Sequence, residues 1–443
     1  MKKIIMLILC IIVFSITSNI YAADTVYSLN KYSEEIFENI IESYDKENKQ
    51  DGFIAAGQVL KEKVTIDNEE YNDYQVVLVK YDVTGKVKWI FTYGENDVNK
   101  IDSLTYLYDE ENKVSGYLIT MKKSTDILEP KENVSVFVKV DINGKLIEEK
   151  TTTLKENNII TKIIPVVDQN YKLHSYIAIG HNEENKYPFI AKYDINLDLV
   201  FEKIYELPNT TFNDIAIVRN EKTLDSYAIS LTEDNEKLVN KVNRYDFDGN
   251  ELNTITTNEN INDKIKFLEA ENGIVIYGLT DEVKLQEEDL LSYYIINYNI
   301  NNEIVWETLG NVPVNKNEEL KLKDNYNEYL LLYTNNNDKS NEIVKIGKDG
   351  LIGTKVKKIR NDYYNINNFN IYNNTIYFIG QIKCPEDETC DYDANSLFLI
   401  SDQDKVIEVH QKEASSISIV TVLFVVSIIL VVLVRKKSKK ETN

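Results

Sequence analysis

Short apolar runs rich in Ile, Val, Tyr and Phe recur along the chain, each bounded by Gly, Asn, Asp or Lys. They read GFIAAG (52–57), GYLIT (116–120), SYIAIG (175–180), SYAIS (226–230), GIVIYG (273–278), EYLLLY (328–333) and TIYFIG (375–380). None has helical length or a helical period, and β-branched and aromatic residues dominate them, so they predict strands. A second set runs in phase with the first. VVLVKYDVTGKVKW (76–89) returns as VFVKVDINGKL (136–146), FIAKYDINLDLVF (189–201), KVNRYDFDGNEL (241–252), YIINYNINNEIVW (294–306), IVKIGKDGLI (343–352) and, degraded, LFLISDQDKVI (397–407).

The polar residue at the centre of this second pattern is Asp82, Asp141, Asp194, Asp246 and Asn299 in the first five copies. The period is therefore roughly 50–60 residues, and a period of that length marks a repeat architecture. Each repeat holds an upstream strand such as SLTYLYD (103–109), the apolar run, the VLVK-type strand, and a strand after the turn such as KVKWIFTY. Four antiparallel strands repeated seven times around an axis describe an all-β, seven-bladed propeller of four-stranded blades.

The turn chemistry fits a hairpin between the third and fourth strands. An Asp or Asn side chain accepts bonds from backbone N–H groups two residues on. Gly85, Gly144, Gly249 and Gly350 permit a positive φ, and Asn302 is the next best residue for it. Trp89 and Trp306 stand four residues after that position, Phe201 fills the same place, and each offers roughly 200 Å² to a neighbouring blade. Lys80, Lys139, Lys192 and Arg244 precede the turn on the side of its Asp and are expected in exposed ion pairs contributing ~0–1 kcal/mol. The full motif KYDVTGKVKW (80–89) resembles the K-Y-D-x-x-G-x-x-x-W repeats of secreted bacterial β-propeller proteins. Similar repeats cover most of the chain between Ser33 and Glu413, departing at Gly347 and at Ser401-Asp402. That resemblance implies a fold and a surface location, and a binding or scaffolding module without a shared chemistry.

The two ends add an address. Residues 1–22, with Lys2 and Lys3 before the apolar run from Ile4, have the form of a secretory signal peptide. Residues 414–434 carry no charge and precede a basic tail, 435–443, so they predict one transmembrane helix with the tail in the cytoplasm. Residues 23–413 are then extracellular, on the cell membrane of a bacterium with a single membrane. No LPxTG-type motif precedes the span, so it stays in the mature protein.

Composition narrows the partners. The net charge of −22 repels phosphate backbones, which excludes nucleic acid as a partner. Cys384 and Cys390 form a local disulfide in an exported protein, stabilising by about 2 kcal/mol on the loop-entropy model. The acids between them and beyond, Glu386, Asp387, Glu388, Asp391 and Asp393, offer oxygen ligands for Ca²⁺ but lack the spacing of a calcium loop and read as a solvated loop. His174, His181 and His410 show neither metal nor triad spacing. A sialidase would need three converging arginines, and Arg244 already occupies a repeat position. The quinone-docking motif has one residue more between Asp and Gly and an Ala missing here, so no cofactor is expected.

The expected function is thus a membrane-anchored binding or scaffolding module for a protein or glycan partner near the membrane; the alternative is an extracytoplasmic hydrolase acting on saccharides. Long, dissimilar segments join second to third strands at 58–74, 121–133, 279–290 and 381–395, and function on a regular scaffold concentrates in such loops. The last outer strand is expected at Lys405–His410, tilting that face toward the bilayer. Whether DTVYSLNKY (24–32) pairs with the last blade stays open.

Overall fold

The computed structural model describes residues 25–402, apart from 30, 33, 67–68, 95–99, 125–132, 222, 235–237, 258–264, 282–289, 317, 338, 361–363 and 384–393. Residues 1–24, where the signal was expected, the apolar segment 414–434, the basic tail, Cys384, Cys390 and the acidic residues between and beyond them lie outside the described residues. Among the described residues no helix is long and apolar enough to cross a membrane.

The described chain is built from antiparallel strands. Strand β1 (Thr25–Tyr27) comes first. A four-stranded sheet follows, in the order β2 (Glu35–Tyr44), β3 (Gln50–Ile66), β4 (Glu69–Asp82) and β5 (Val87–Tyr93). The next contains β6 (Lys100–Tyr108), β7 (Val114–Ser124), β8 (Asn133–Asp141) and β9 (Leu146–Thr151). Then come β10 (Asn158–Val167), β11 (Leu173–Asn182), β12 (Pro188–Tyr193) and β13 (Leu199–Ile204).

Two further sets share one sheet. They are β14 (Thr210–Asn220), β15 (Thr223–Asp234), β16 (Leu238–Tyr245) and β17 (Glu251–Thr256), then β18 (Lys266–Glu269), β19 (Asn272–Thr280), β20 (Leu290–Tyr298) and β21 (Ile304–Leu309). Pairing of Arg219 with Gly273 and Asn220 with Asn272 joins the sets, and the short β22 (Val314–Asn315) pairs with β20. After them lie β23 (Lys321–Asn325), β24 (Glu328–Asn335), β25 (Ser340–Gly347) and β26 (Ile352–Arg360). The final set is β27 (Tyr364–Tyr372), β28 (Thr375–Lys383) and β29 (Ala394–Asp402), and its fourth place is taken by β1.

Neighbouring sets touch in turn: β6 meets β3 and β4 of the first set, then first strand meets first strand from β6 to β10, β14, β18, β23 and β27, and β27 returns to β2. Four-stranded sheets arranged in such a ring form a β-propeller. Closure comes from the N-terminus, which settles the point the sequence left open. Thr25, Val26 and Tyr27 pair with Ile400, Leu399 and Phe398. The outer place of the last set therefore belongs to β1, where the sequence had assigned Lys405–His410; those residues lie outside the described part. The buried Glu35 carboxylate fastens the seam, accepting from Lys31 N at 2.8 Å, Tyr32 N at 3.1 Å and both Ser396 N and Oγ at 3.1 and 2.6 Å.

Apolar side chains fill the gaps between neighbouring sheets. One cluster brings Tyr81 and Val79 against Tyr377 and Phe398, whose ring stacks on Tyr81 at 4.0 Å. Another packs Ile54, Leu78 and Phe91 on Tyr117, Ile119 and Val138. Both faces of the central strands are apolar because each sheet is covered twice.

The turns between third and fourth strands are three-residue hairpins ending in a left-handed residue. Gly85 N bonds Asp82 O at 2.9 Å, and Asp82 Oδ1 accepts from Thr84 N and Lys86 N at 2.9 and 3.0 Å. Asp141, Asp194, Asp246 and Asn299 repeat that cap on the N–H groups of Asn143, Asn196, Asp248 and Asn301.

An aromatic ring of one sheet lies on the glycine of the next sheet's turn. A Cβ on Gly144 would sit 2.5 Å from the Trp89 ring, one on Gly249 2.9 Å from Phe201, one on Gly350 2.7 Å from Trp306, and one on Gly85 2.0 Å from Tyr27. The indole of Trp89 also donates to Ile142 O at 3.1 Å. Where the preceding outer strand carries no aromatic at this place, the turn has no glycine. Glu148 precedes Leu197, and Asn253 precedes Asn302, both at φ 63°. Leu197 is buried among Leu107, Phe137 and Tyr193, filling the space a ring fills elsewhere.

These glycines therefore serve packing as well as φ, and Leu197→Gly separates the two. Relief of the left-handed conformation alone would stabilise by about 1 kcal/mol. Loss of the buried side chain costs about 3 kcal/mol. We expect a net loss of about 2 kcal/mol in thermal or urea unfolding, and a rise in Tm would contradict the packing role.

Candidate functional site

The residues singled out by the repeat, Asp82, Gly85, Trp89, Asp141, Gly144, Asp194, Asp246, Gly249, Asn299 and Trp306, all stand in or beside the outer hairpins. There they cap turns and join sheets, and they do not converge on one cavity. Of the four bases before those turns, Lys139 forms the exposed pair expected, with Glu148 at 2.8 Å, and the other three do not. Lys80 is buried, 2.8 Å from Asp51 Oδ2. The buried Arg244 donates to Asp225 Oδ2 at 2.5 Å and reaches the next turn at Ile300 O and Asn302 Oδ1. Lys192 likewise donates to Phe247 O at 2.7 Å. Arg244 and Lys192 thereby tie one set to the next, whereas Lys80 stays within its own set, bonded to Asp51 and Tyr44 O.

A cleft of about 310 Å³ lies between the second and third sets, lined by Val134, Ser135, Thr152, Leu154, Lys155 and Asn158 among others. Its polar groups are already engaged, with Asn158 Nδ2 on Glu202 Oε1 at 2.6 Å and Ser135 Oγ accepting from Ile160 N at 2.8 Å.

Unspent polar chemistry collects instead where the first strands converge on the axis of the ring. In five of them a β-bulge interrupts the register at the same level, at Phe37/Asn39, Ile101/Ser103, Ile160/Lys162, Phe212/Asp214 and Ile366/Asn368. A bulge re-aims the side chains around it. Just past the bulge, Lys162 and Asp214 form an ion pair, and Asp214 also accepts from Ile215 N at 3.0 Å and Phe267 N at 2.9 Å. Glu319 lies between Lys266 at 2.9 Å and Lys321 at 2.6 Å. Arg219 meets Glu269 at 3.3 Å and Val167 O at 3.0 Å. Tyr106 donates to Glu42 Oε2 at 2.6 Å.

Lys323 lies among these groups without a carboxylate at ion-pair distance among the described residues. Its field couples it to Glu42 on β2, Lys321 on its own strand and Lys162 on β10. Strands β23 and β10 stand on opposite sides of the ring, so both ammoniums project into the central channel. Burial lowers the Lys323 pKa, Glu42 opposes that, and Lys321 and Lys162 add to it. Burial tends to raise the Glu319 carboxyl, but the Lys321 and Lys266 ammoniums outweigh it and hold it at about 2.

Tyrosines rim one mouth of this channel. Tyr44 and Tyr108 end β2 and β6, while Tyr171 and Tyr326 sit at the tips of the β10–β11 and β23–β24 turns. Burial raises the Tyr44 hydroxyl pKa, helped by Glu42, Tyr108, Tyr171 and Tyr326. Burial, Glu269 and Tyr171 push Tyr108 up to about 12. Tyr171 and Tyr326 are 67% and 94% exposed, and both hold a left-handed backbone, at φ 60° and 55°.

The repeat had a second turn motif that carries this rim. DKENK (45–49), DEENK (109–113) and DQNYK (168–172) each place a left-handed residue fourth, Asn48, Asn112 and Tyr171. A tyrosine in a position that elsewhere takes asparagine was the available signal. The remaining channel residues fall on alternating positions of ordinary strands and carry no signal of their own.

No family model matches the chain, and no curated protein does. Solved structures resemble it. The Dos1 propeller matches 87% of this chain and 98% of its own at 9% identity, with a TM-score of 0.47. The β-propeller domain of the Trilobed protease from Pyrococcus furiosus matches 86% and 98% at 11% identity, TM-score 0.44. The WD40 domain of SCAP from fission yeast matches 86% and 98% at 10%, TM-score 0.40. At that distance the propeller assignment rests on the strand pairing and inner-strand contacts described above.

The Glu319 pair gives a pH signature. Its folded pKa of about 2 lies below the ordinary 4.5, so its contribution is present above about pH 4.5 and is lost as pH falls toward 2. More than half of its side chain is open to channel water, which screens the pair to about 1 kcal/mol. Glu319→Gln should be less stable than the parent by that amount at pH 7 and equal to it near pH 2; a difference that grows on acidification would contradict the pairing.

Proposed function

We propose that the chain is a seven-bladed propeller exported by the signal in residues 1–22 and held on the cell membrane by one span over 414–434. In this reading it binds or scaffolds a protein or glycan partner outside the cell and catalyses no reaction. The expected local disulfide Cys384–Cys390 braces one of its long loops, and the fold takes no cofactor.

The observation that supports the reading is an arm built by β3 and β4. The sequence suggested a loop over 58–74, yet the ladder continues from Leu60 opposite Tyr74 to Ile66 opposite Glu69. Alternating Val64, Ile66 and Tyr71 with polar neighbours already carried that period. Strand β2 pairs only as far as Val59 and β5 only from Val76, so beyond them the arm's outer backbone edges meet no further strand among the described residues. Open edges of this kind are where an extended segment of a partner adds a strand. Asp73, buried at the arm's base and 3.3 Å from Lys61, anchors it.

Replacing residues 61–73 by Asn-Gly tests the reading. Crosslinking on intact cells should give a defined partner with the parent chain and at least about tenfold less with the shortened one, at an unchanged Tm. Equal capture by both, or turnover of a saccharide by the purified full chain, would overturn it.

A further inference from the structure

Among the described residues, each cation of the channel except one has a carboxylate partner. Lys162 has Asp214, Lys266 and Lys321 share Glu319, and Arg219 has Glu269. Lys323 is left, half-buried on β23, and the Glu42 carboxylate, which accepts from the Tyr106 hydroxyl, attracts it without forming an ion pair with it among the described residues. An ammonium taken out of bulk water without a counter-ion is costly unless something arrives to pair with it. The chain as a whole carries −22, so anions are repelled almost everywhere else.

The rim adds a second, independent requirement. Tyr171 and Tyr326 each hold a conformation that costs a bulky residue about 1–2 kcal/mol, and both keep their rings in water. Burial in a core does not explain them, since neither ring enters one. Together with Tyr44 and Tyr108 they set flat apolar surfaces, each with a hydroxyl at its edge, around the entrance that leads to Lys323.

We propose that the channel binds an acidic saccharide, with a carboxylate on Lys323 Nζ and sugar-ring faces against Tyr171 and Tyr326. Glu42 accepts from a neighbouring sugar hydroxyl through Oε1, the oxygen that the Tyr106 hydroxyl leaves open. This site lies on the ring axis and uses no residue of the β3–β4 arm, so it is separate from the partner surface.

The test is calorimetric titration of the full chain in detergent with tetragalacturonate and with its methyl ester. Saturable binding of the acid is expected, with the ester and Lys323→Gln each weaker by about tenfold or more, the loss expected when a charged hydrogen bond goes. Lys323→Arg retains binding, Tyr171→Ala with Tyr326→Ala weakens it, and Lys145→Gln, on an outer turn, leaves it unchanged. Removing a half-buried unpaired charge should leave the Lys323→Gln melting temperature no lower than the parent's. Equal affinity for acid and ester, full binding by Lys323→Gln, displacement by inorganic phosphate as readily as by uronate, or no saturable binding below about 10 mM would each overturn the site. The arm-shortened chain keeps this binding, so a failure here is distinct from a failure of the partner surface.

Discussion

A β-sheet apolar on both faces has to be covered on both sides, and a chain that makes only such sheets can cover them only with one another. Radial stacking meets that demand provided the stack returns on itself, because an open end would leave one wide apolar face in water. The seam between the last sheet and the first is thus the constraint on which everything else rests. Three residues of β1, a buried carboxylate at Glu35, and the stack of Tyr81 on Phe398 carry it. Since β1 and β29 come from opposite ends of the described chain, the ring gains its last strand only when both ends are in place.

Within the ring, neighbouring sheets are registered by contacts that alternate in kind. Rings from Tyr27, Trp89, Phe201 and Trp306 sit on glycines, whereas Lys150 on Asn196 and Asp198, and Arg244 on Ile300 and Asn302, join the sheets whose turns lack glycine. Both solutions fix the same turn, the rings and Lys150 from an outer strand and Arg244 from the third strand beside it. One does it by close approach of a flat ring to bare backbone, the other by hydrogen bonds to the turn's own acceptors.

Much of this was legible in the chain. The period-2 runs and the Asp-x-x-Gly turns located strands and hairpins because those signals are local, and the beat of the turns revealed the repeat. The link between an aromatic and a glycine one repeat later was written in the sequence as well, but it reads as a rule only once the outer strand of one sheet is seen against the turn of the next. The arm was misjudged because polar residues between 61 and 73 masked a period-2 pattern. Closure by β1 was hidden because three residues, TVY, carry too little pattern to declare a partner 370-odd residues away. The channel was hidden for a related reason. Glu42, Lys162 and Lys323 are unremarkable strand residues until the ring places them around one axis, and only Tyr171, in a slot suited to asparagine, departs from local expectation.

The closed ring is tested most directly by the register of its seam. Val26 and Leu399 face each other across β1 and β29. With both changed to cysteine, mild oxidation of the full chain should give a peptide linking positions 26 and 399 by mass spectrometry, along with a higher Tm. If oxidation goes to completion but no 26–399 link forms, or if position 26 links elsewhere, the N-terminal strand does not complete the last sheet and the closed ring is wrong.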